Sequence, residues 1–434
     1  MKIAIVGTGY VGLVTGVCLA HKGVHKIVCI DVDKNRIEKL KEGKSPIYEE
    51  NLEELLKESI DKNNIEFTTD AKKVYEDVDV IFIAVGTPER SDGSANLDYI
   101  KQAAREISKY VKKDCLVVIK STVPVGTNEM IEKYIKSHLE NDVWIELASN
   151  PEFLAQGSAV RDTLEASRIV IGTESEKARE ILESVYEGFD SPKVFTNINS
   201  AEMIKYASND FLALKISYMS DIANLCEIVG ANIEDVAFGM SFDDRIGSKF
   251  LRAGIGYGGS CFPKDTKALH WLSNSNGYEL KTVSAAIEVN EAQKIKLIRQ
   301  ASERFDSFCD MKVAVLGVTY KPGTDDLREA PSIANINSLL ERGANVYAYD
   351  PVGLKNAKRI FGEKINYCEK YEEALKDAEI CFIMTEWNEI KSILPEEYLK
   401  LMKTPLVYDG RNCYNPRVMI DNNIEYHSIG RGSF

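Results

Sequence analysis

The sequence predicts an α/β protein in which two open, doubly wound parallel sheets are joined by a helical segment. Three observations lead to this fold class. Strand-like apolar runs alternate with helical patterns from the first residue onward, which is the order that a parallel sheet requires. After about residue 200 the pattern becomes purely helical, and a stretch that begins at residue 311 then repeats the opening one.

Length, composition and charge place the chain among ordinary globular proteins. The chain has 434 residues, of which 44% are hydrophobic and 28% charged, so that two or three domains with buried cores can form. Acidic residues outnumber basic ones by 67 to 54, which gives a net charge of −13. This charge argues against nucleic acid or an anionic membrane as the main partner.

The sequence also predicts a cytoplasmic location. No apolar run approaches the roughly 20 residues that a membrane-spanning helix needs, and the first residues lack the apolar segment of a signal peptide. The nine cysteines are scattered and odd in number. They form neither a disulfide framework nor a CxxC pair for a metal, which favours a reducing compartment.

Five strand-like runs occur in the first part of the chain. Each ends in small or polar residues, where the ligands of parallel sheets bind. The runs are KIAIVG (2–7), HKIVCIDVD (25–33), DVIFIAVGTP (79–88), CLVVIKSTVP (115–124) and IELASNPEF (145–153).

A long helix is predicted over residues 200–230, with Gly230 as its stop. Apolar residues at steps of three or four form one stripe along it. A further helical stretch runs from about 266 to 304, so the middle of the chain is predicted to be all-helical. The striped helix is also a candidate dimer interface. The stripe consists of Phe211, Leu214, Tyr218, Ile222 and Leu225.

The third region repeats the first. MKVAVLGVTYKPGTDD (311–326) matches the opening run, ANVYAYDP (344–351) matches the second strand, and AEICFIMTEW (378–387) matches the third. Repetition of this kind indicates a second related sheet. We therefore expect an N-terminal domain over 1–198, a central helical domain over 199–305 and a C-terminal domain over 306–434.

The first strand is followed by a dinucleotide-binding pattern. Gly7, Gly9 and Gly12 form G-x-G-x-x-G directly before a predicted helix, which is the context that a Rossmann-like site requires. Asp31 ends the second strand, where a carboxylate binds the ribose hydroxyls and repels a 2′-phosphate. NAD is therefore favoured over NADP, although Arg36 leaves room for a 2′-phosphate or an adenosine contact. The second repeat lacks the glycine pattern, so a different nucleotide is expected there.

Cys261 stands in an unusual stretch, GYGGSCFPKD (256–265), that surrounds a thiol with glycines and charge. Neighbouring cations favour the reactive thiolate, and here they include Lys264, Lys267 and, from the long helix, Lys205. Further candidates share this chemistry, as oxyanion donors or as groups that orient water or act as a base. They are Asn209, one turn after Lys205, together with Asp265 and Glu152.

Each candidate also has a purely structural interpretation. The Lys205 and Asn209 pair fits a solvated helix face, Cys261 fits a small core residue, and Asp265 fits a helix N-cap. A nicotinamide site beside a thiol nevertheless indicates one chemistry. A thiolate that adds to an aldehyde gives a hemithioacetal, which loses a hydride to become a thioester and is then hydrolysed to the acid.

Six motifs occur in order along the chain: GTGYVG, STVPVGT, SNPEFL, MIKYASND, GYGGSCFPKD and YKPGTDDLREAPS. Together they make the chain resemble the UDP-glucose 6-dehydrogenases of the UDP-glucose/GDP-mannose dehydrogenase family, and the resemblance covers nearly the whole chain. It implies NAD-dependent, two-step oxidation of the sugar C6 alcohol to a carboxylate with two NAD and one water, in a homodimer.

The resemblance also implies roles for individual residues. Cys261 matches the nucleophile, and Arg245 matches an arginine that the family supplies to the substrate across the dimer. The other catalytic matches are Lys205, Asn209, Asp265, Glu152 and Thr122. The cofactor contacts are Gly7, Gly9, Tyr10, Val11, Gly12, Asp31, Arg36, Thr87, Thr122, Glu152, Lys264 and Arg328. The substrate contacts are Glu152, Phe153, Leu154, Lys205, Asn209, Phe250, Leu251, Arg252, Ala253, Gly254, Gly258, Lys321 and Arg411.

Several alternatives stay open. GDP-mannose dehydrogenases resemble GGSCLPKD, which differs from GGSCFPKD of this chain only at Phe262, and UDP-N-acetylamino-sugar dehydrogenases usually have GGHC followed by Ile where this chain has GGSCF. Gln156 and Ala253 depart from common family residues near the substrate positions, and Lys205 or an activated water could be the first base. An NAD-binding redox sensor and a one-step 3-hydroxyacid dehydrogenase are the alternatives from other classes.

Overall fold

The structure is a computed structural model that describes residues 1–432. The chain falls into two compact units, Met1–Ser208 and the part that begins at Asn209. The three-domain boundaries at 198 and 305 stay a prediction.

The first unit is built on an eight-stranded sheet. Its strands are β1 (Lys2–Val6), β2 (Lys26–Ile30), β3 (Ile65–Thr68), β4 (Val80–Ile83), β5 (Cys115–Ile119), β6 (Ile145–Ser149), β7 (Ile169–Gly172) and β8 (Lys193–Thr196). The order is β3-β2-β1-β4-β5-β6-β7-β8, and the direction of winding reverses between β1 and β4. All neighbours are parallel except β6 and β7, which meet in an antiparallel bridge at Ser149 and Gly172.

Helices cover both faces of this sheet. Alternate residues of β1 enter different cores, Ile3 and Ile5 on one face and Ala4 and Val6 on the other. A strand that is buried on both faces has a continuous apolar sequence, which explains the KIAIV run. The helices are α1 (Tyr10–Lys22), α2 (Lys34–Lys41), α3 (Leu52–Asp61), α4 (Ala71–Tyr75), α5 (Asp98–Tyr110), α6 (Thr127–His138), α7 (Ala159–Leu164) and α8 (Glu176–Val185).

The predicted long helix is α9 (Ile198–Val229), and Gly230 follows it with a positive φ of 75°. Part of the predicted apolar stripe is exposed: Phe211 is 61%, Tyr218 53% and Leu225 52% accessible. A different face of α9 enters the core of the second unit, through Met219, Ala223 and Cys226.

The second unit carries a six-stranded parallel sheet. Its strands are β9 (Lys312–Leu316), β10 (Asn345–Tyr349), β11 (Asn366–Cys368), β12 (Ile380–Ile383), β13 (Leu406–Asp409) and β14 (Glu425–Ser428). The order β11-β10-β9-β12-β13-β14 again reverses beside the first strand. The predicted repeat is therefore a second doubly wound sheet.

The helical stretch expected over 266–304 consists of three separate helices and begins earlier, at Phe262. Pro263 stands in the first turn, where its fixed φ suits a helix start. None of the helices in residues 1–432 combines the length and hydrophobicity of a bilayer-spanning segment. The helices that follow α9 are α10 (Ile233–Ser241), α11 (Phe262–Ser275), α12 (Lys281–Lys294), α13 (Lys296–Arg304), α14 (Pro331–Glu341), α15 (Leu354–Phe361), α16 (Tyr371–Leu375), α17 (Asn388–Lys391), α18 (Pro395–Leu401) and α19 (Pro416–Asp421).

Candidate active site

The glycine pattern of the first unit forms the tight turn between β1 and α1. Gly7 has a positive φ of 95°, and a Cβ on Gly12 would lie 1.9 Å from the carbonyl oxygen of Gly7. Both positions therefore exclude larger residues. Gly9 is the N-cap residue of α1, so no side chain caps the first turn, which begins with Tyr10 and Val11. Backbone N–H groups at a helix start of this kind bind the pyrophosphate of a dinucleotide.

Asp31 follows β2 and is fixed beside this turn. Its Oδ2 accepts hydrogen bonds from the Thr8 backbone N–H at 2.8 Å and from the Thr8 hydroxyl at 2.7 Å, and Arg36 Nη1 lies 3.3 Å away. Burial opposes ionisation, but hydrogen bonds from Asp33 and Thr8 and the charge of Arg36 hold the pKa of Asp31 below its ordinary value. Asp31 is therefore an ionised acceptor at the strand end, as an NAD ribose requires.

Thr87 and Thr122 follow the carboxyl ends of β4 and β5, the neighbouring strands on the other side of the winding reversal. The Thr87 hydroxyl donates a hydrogen bond to the Thr122 carbonyl at 2.9 Å. The structure thus brings these two predicted cofactor residues together.

Lys205 and Glu152 form a buried ion pair within the first unit. Lys205 Nζ lies 2.8 Å from Glu152 Oε1, and the side chains are 3% and 7% exposed. Glu152 Oε2 also accepts the Leu154 backbone N–H at 2.8 Å, and Lys205 faces the Phe153 ring at 5.5 Å. The solvated-face interpretation of Lys205 is therefore wrong. Removal of either partner of such a pair leaves an uncompensated buried charge.

In the second unit, Cys261 is the N-cap residue of α11 and is half-buried. Its thiol lies 3.8 Å from the Ser260 hydroxyl. The pKa of the Arg328 guanidinium is raised, mainly by its hydrogen bond to Asp326 and further by the charge of Cys261. The positive end of a helix and a nearby cation both stabilise a thiolate. The thiol therefore stands half-buried at a helix start and is not enclosed in an apolar core.

Asp265 lies in the first turn of α11 and is not its N-cap, because its backbone N–H donates to the Cys261 carbonyl. The carboxylate is 1% exposed. Its Oδ2 accepts the Asn209 amide at 2.6 Å and its Oδ1 accepts Lys264 Nζ at 2.5 Å. The structure thus joins three predicted residues in one buried network, and Asn209 does not lie on a solvated face.

The predicted substrate residues 250–254 lie at the start of the loop that leads to Cys261. A Cβ on Gly254 would meet the Arg411 guanidinium at 3.2 Å. Arg411 itself donates to the carbonyl oxygens of Gly256 at 3.1 Å and of Tyr320, the residue before Lys321, at 3.3 Å. Arg411 therefore connects the cysteine loop to the loop after β9.

The remaining substrate candidates differ in their surroundings. Gly258 is packed so closely that a Cβ would lie 2.5 Å from the Glu329 carbonyl oxygen. Phe250 has a positive φ of 65° and its ring meets Phe262 at 6.2 Å. Arg245 is 89% exposed and is bound to Asp243 at 2.7 Å, so it does not join this group within its own chain.

Comparison with known proteins decides the family. Residues 1–190 match the model of the UDP-glucose/GDP-mannose dehydrogenase family NAD binding domain, residues 199–292 that of the central domain, and residues 314–416 that of the UDP binding domain. The chain belongs to the UDP-glucose/GDP-mannose dehydrogenase family. It is accordingly an oxidoreductase, an NAD-dependent dehydrogenase.

Individual family members resemble it over their full length. The UDP-glucose 6-dehydrogenase YwqF of Bacillus subtilis is 48% identical over 99% of this chain and 98% of its own. The structure of a UDP-glucose dehydrogenase from Pyrobaculum islandicum matches with a TM-score of 0.92 at 36% identity, covering 98% of this chain and 96% of its own. A UDP-D-ManNAc dehydrogenase from Pyrococcus horikoshii matches with a TM-score of 0.87 at 28% identity, covering 99% of both chains.

The residues of the first unit fit NAD, the cofactor of this dehydrogenase family. The turn at Gly7 leaves the backbone of Gly9 and the start of α1 open to a pyrophosphate, since a Cβ on Gly9 would meet nothing within 4 Å. The ionised Asp31 suits ribose hydroxyls and disfavours a 2′-phosphate. Arg36 is bound to that carboxylate, which supports the choice of NAD over NADP.

Lys120 is a residue of this dehydrogenase that the sequence did not single out. It follows β5, is 7% exposed, and donates to the Asn150 side-chain oxygen at 2.9 Å and the Tyr186 hydroxyl at 3.4 Å. Burial lowers its pKa to about 8; the charge of Glu152 opposes this shift and that of Lys205 adds to it. Its position at the end of an otherwise apolar run, CLVVIK, was the available signal.

Asp210 was also missed. It follows Asn209 on α9 and is 5% exposed, and among residues 1–432 neither of its carboxyl oxygens has a hydrogen-bond partner. Burial, and then the charge of Asp265, raises its pKa to about 8. A carboxyl group in such a position holds its proton at neutral pH.

Proposed function

We propose that this dehydrogenase oxidises UDP-glucose at C6 to UDP-glucuronate, using two NAD and one water. The observation that carries the proposal is the second-unit cluster, in which Cys261 begins α11 and its first turn holds Asp265 against Asn209 and Lys264. A simple alcohol dehydrogenase has no need of a thiol in such a place. The name of the 48% identical relative and the match to a UDP binding domain support the choice of substrate.

The reaction has two oxidations and one hydrolysis. NAD, when bound, accepts the hydride in each oxidation. In the first, the C6 hydroxyl loses its proton to Lys205 or to an activated water and the C6 hydrogen leaves as hydride, which gives the aldehyde. The overall balance is one primary alcohol, two NAD and one water, converted to one carboxylate, two NADH and three protons.

Cys261 makes the second oxidation possible. Its thiolate adds to the aldehyde carbon and forms a C–S bond, and the aldehyde oxygen takes up a proton as a thiohemiacetal. Loss of hydride from C6 and of that proton gives the thioester, which water then cleaves to release the acid and the thiol. We assign Asn209 and Lys205 to the oxygen that carries negative charge, and Asp265 to the water.

Glu152 and Thr122 complete the proposed hydrolytic group. Glu152 is held by Lys205 at 2.8 Å, which supports a fixed carboxylate for the hydrolytic step. Thr122 accepts the Thr87 hydroxyl through its carbonyl, and we place its side chain against water and cofactor. Lys264 and Arg328 are assigned to the cofactor, and residues 250–254, Gly258, Lys321 and Arg411 to the sugar nucleotide, as the family resemblance implies.

We propose a cytoplasmic homodimer in which Arg245 enters the active site of the partner subunit. Three exposed apolar residues on α9, Phe211, Tyr218 and Leu225, form a surface that a second copy can bury. Arg245 is almost fully exposed within its own chain, as a residue donated to a partner would be. The three matched models, over 1–190, 199–292 and 314–416, support cofactor, central and sugar-nucleotide domains with boundaries near 198 and 305.

The test is a count of NADH per sugar. Limiting UDP-glucose with excess NAD is expected to give two NADH per sugar and UDP-glucuronate. One NADH would indicate a simple alcohol dehydrogenase. No NADH from UDP-glucose would direct the count to GDP-mannose and UDP-N-acetylamino sugars, and no NADH from any of these would favour an NAD-binding redox sensor.

The same count on two cysteine variants tests the thiol. Cys261→Ser is expected to stop after one oxidation, with one NADH per sugar and the product left at the aldehyde level. Cys309→Ser, at an exposed cysteine remote in sequence, is the control and should still give two NADH per sugar. Full acid formation by Cys261→Ser would disprove the thioester route.

A further inference from the structure

Glu49 makes three hydrogen bonds that join separate parts of the first unit. Its Oε2 accepts the Tyr10 hydroxyl and the Gly157 backbone N–H, the latter at 2.7 Å. Its Oε1 accepts the Ala159 backbone N–H at 2.8 Å. The Gly157 N–H also reaches the Tyr10 hydroxyl at 3.1 Å, so the three residues form one closed network around the carboxylate.

Glu49 joins the glycine turn to the segment that carries Glu152. Tyr10 is the first residue of α1, in the glycine turn of the NAD binding domain. Gly157 and Ala159 stand at the end of the segment that starts at Glu152. Lys205 holds the start of that segment through its contact with Glu152. Residues 152–159 are therefore fixed at one end by the long helix and at the other by Glu49.

Glu49 is itself held in place by a docked helix. It lies three residues before α3, and the Leu52 backbone N–H donates to its carbonyl at 3.4 Å. Leu52 and Leu56 of α3 are fully buried in the same core as Leu13 of α1. Because this packed core resists deformation, the Glu49 carboxylate transmits a displacement of Tyr10 to Gly157 and Ala159, and the reverse.

We infer that Glu49 is a positioning residue that couples the NAD-binding turn to the segment carrying Glu152. Binding of NAD at the turn stabilises the position of Tyr10 further, and through Glu49 it stabilises residues 157–159. Coupling between two sites is reciprocal, so removal of the carboxylate also weakens NAD binding. Only the catalytic meaning of Glu152 depends on the proposed function, since the cofactor turn belongs to the family's NAD binding domain.

The test uses the full-length protein with NAD and no sugar. In the wild type, NAD is expected to slow hydrogen exchange at the Gly157 and Ala159 amides. Glu49→Gln keeps the size but loses the charge and one acceptor, so this slowing should be lost and the Kd for NAD should rise by at least about fivefold. Glu50→Gln, one residue further on and exposed, is the matched control and should behave as the wild type.

A second variant separates coupling from stability. Tyr10→Phe removes one oxygen only, and it should weaken NAD binding and the NAD-dependent protection by the same route. The double variant should then bind NAD no more weakly than Glu49→Gln alone. A lowered melting temperature with unchanged NAD affinity and unchanged protection in both variants would overturn the inference. Two NADH per sugar with that result would leave the proposed function intact.

Discussion

Lys120 brings a positive charge into the buried interior of the first unit. Its ammonium is surrounded by Asn150, Tyr186 and the Glu152–Lys205 pair. Its pKa is lowered from 10.5 to about 8, first by burial. Between about pH 8 and 10.5 the unfolded chain therefore keeps a proton that the folded protein has lost, so folding is favoured as the pH rises.

This sign gives a testable prediction. The free energy of unfolding is compared between the wild type and Lys120→Met at each pH. The wild-type value minus the variant value should rise by about 3 kcal/mol between pH 8 and 10.5, since one pKa unit corresponds to about 1.4 kcal/mol. Urea denaturation at several pH values measures it. Lys112→Met, at an exposed lysine, should show a constant difference from the wild type. If the difference in the free energy of unfolding between the wild type and Lys120→Met is also independent of pH, burial does not lower the pKa of Lys120.

Single residues were predictable from sequence where a motif surrounds them. Cys261 and Asp265 stand in a stretch whose composition is unusual, and Asp31 ends a strand at the place that a nucleotide site requires. Lys120 ends an apolar run and Asp210 ends the MIKYASND motif, but neither pattern indicates a shifted pKa, because the pKa values depend on neighbours far apart in the chain, such as Glu152 for Lys120 and Asp265 for Asp210.

Elements were predictable where a long apolar run or stripe contains them. The apolar run of β1 and the long α9 were found, and the stop at Gly230 was correct. Strands β3, β7 and β8 were not identified: each has four residues, and unlike the equally short β4 none stands in a long apolar run such as DVIFIAVGTP. The start of α11 at Phe262 was missed for a different reason: a glycine-rich loop reaches its first turn, and Asp265 was therefore considered as an N-cap.

The loop before α11 gives a prediction at this scale. A Cβ at Gly258 would stand 2.5 Å from the Glu329 carbonyl oxygen, which is backbone and cannot rotate away. Gly258→Ala should therefore displace the loop, cost about 1–3 kcal/mol of stability and lower kcat by an order of magnitude or more, because small misplacements are costly.

Gly239→Ala is the control for that substitution. Gly239 lies within α10, and a Cβ there would meet nothing within 4 Å. Alanine in a helix interior is favoured over glycine by about 0.5–1 kcal/mol, so this variant should be as stable as the wild type or slightly more. Thermal melts and initial rates of both variants make the comparison. Equal rates for Gly258→Ala and the wild type would contradict the close packing of the loop.

For the whole molecule, the repeated strand pattern correctly predicted two doubly wound parallel sheets, although it identified only some of the strands in each. How the helices that follow α9 would associate was not predictable in the same way. The core of the second unit contains α9 residues such as Met219 together with β9 residues such as Val313, and no periodicity in the sequence indicates which helix packs on which sheet.

The proposed dimer makes the active site a property of two chains, and complementation tests this directly. Arg245→Ala and Cys261→Ser should each fail to form UDP-glucuronate alone. If Arg245 acts across the interface, a mixed dimer holds one complete site, with Cys261 from one chain and Arg245 from the other. Random co-assembly should then restore about a quarter of wild-type acid formation, because half of the dimers are mixed and each has one working site. If Arg245 acts within its own chain, no mixed dimer has a complete site, and the mixture stays as inactive as its parts.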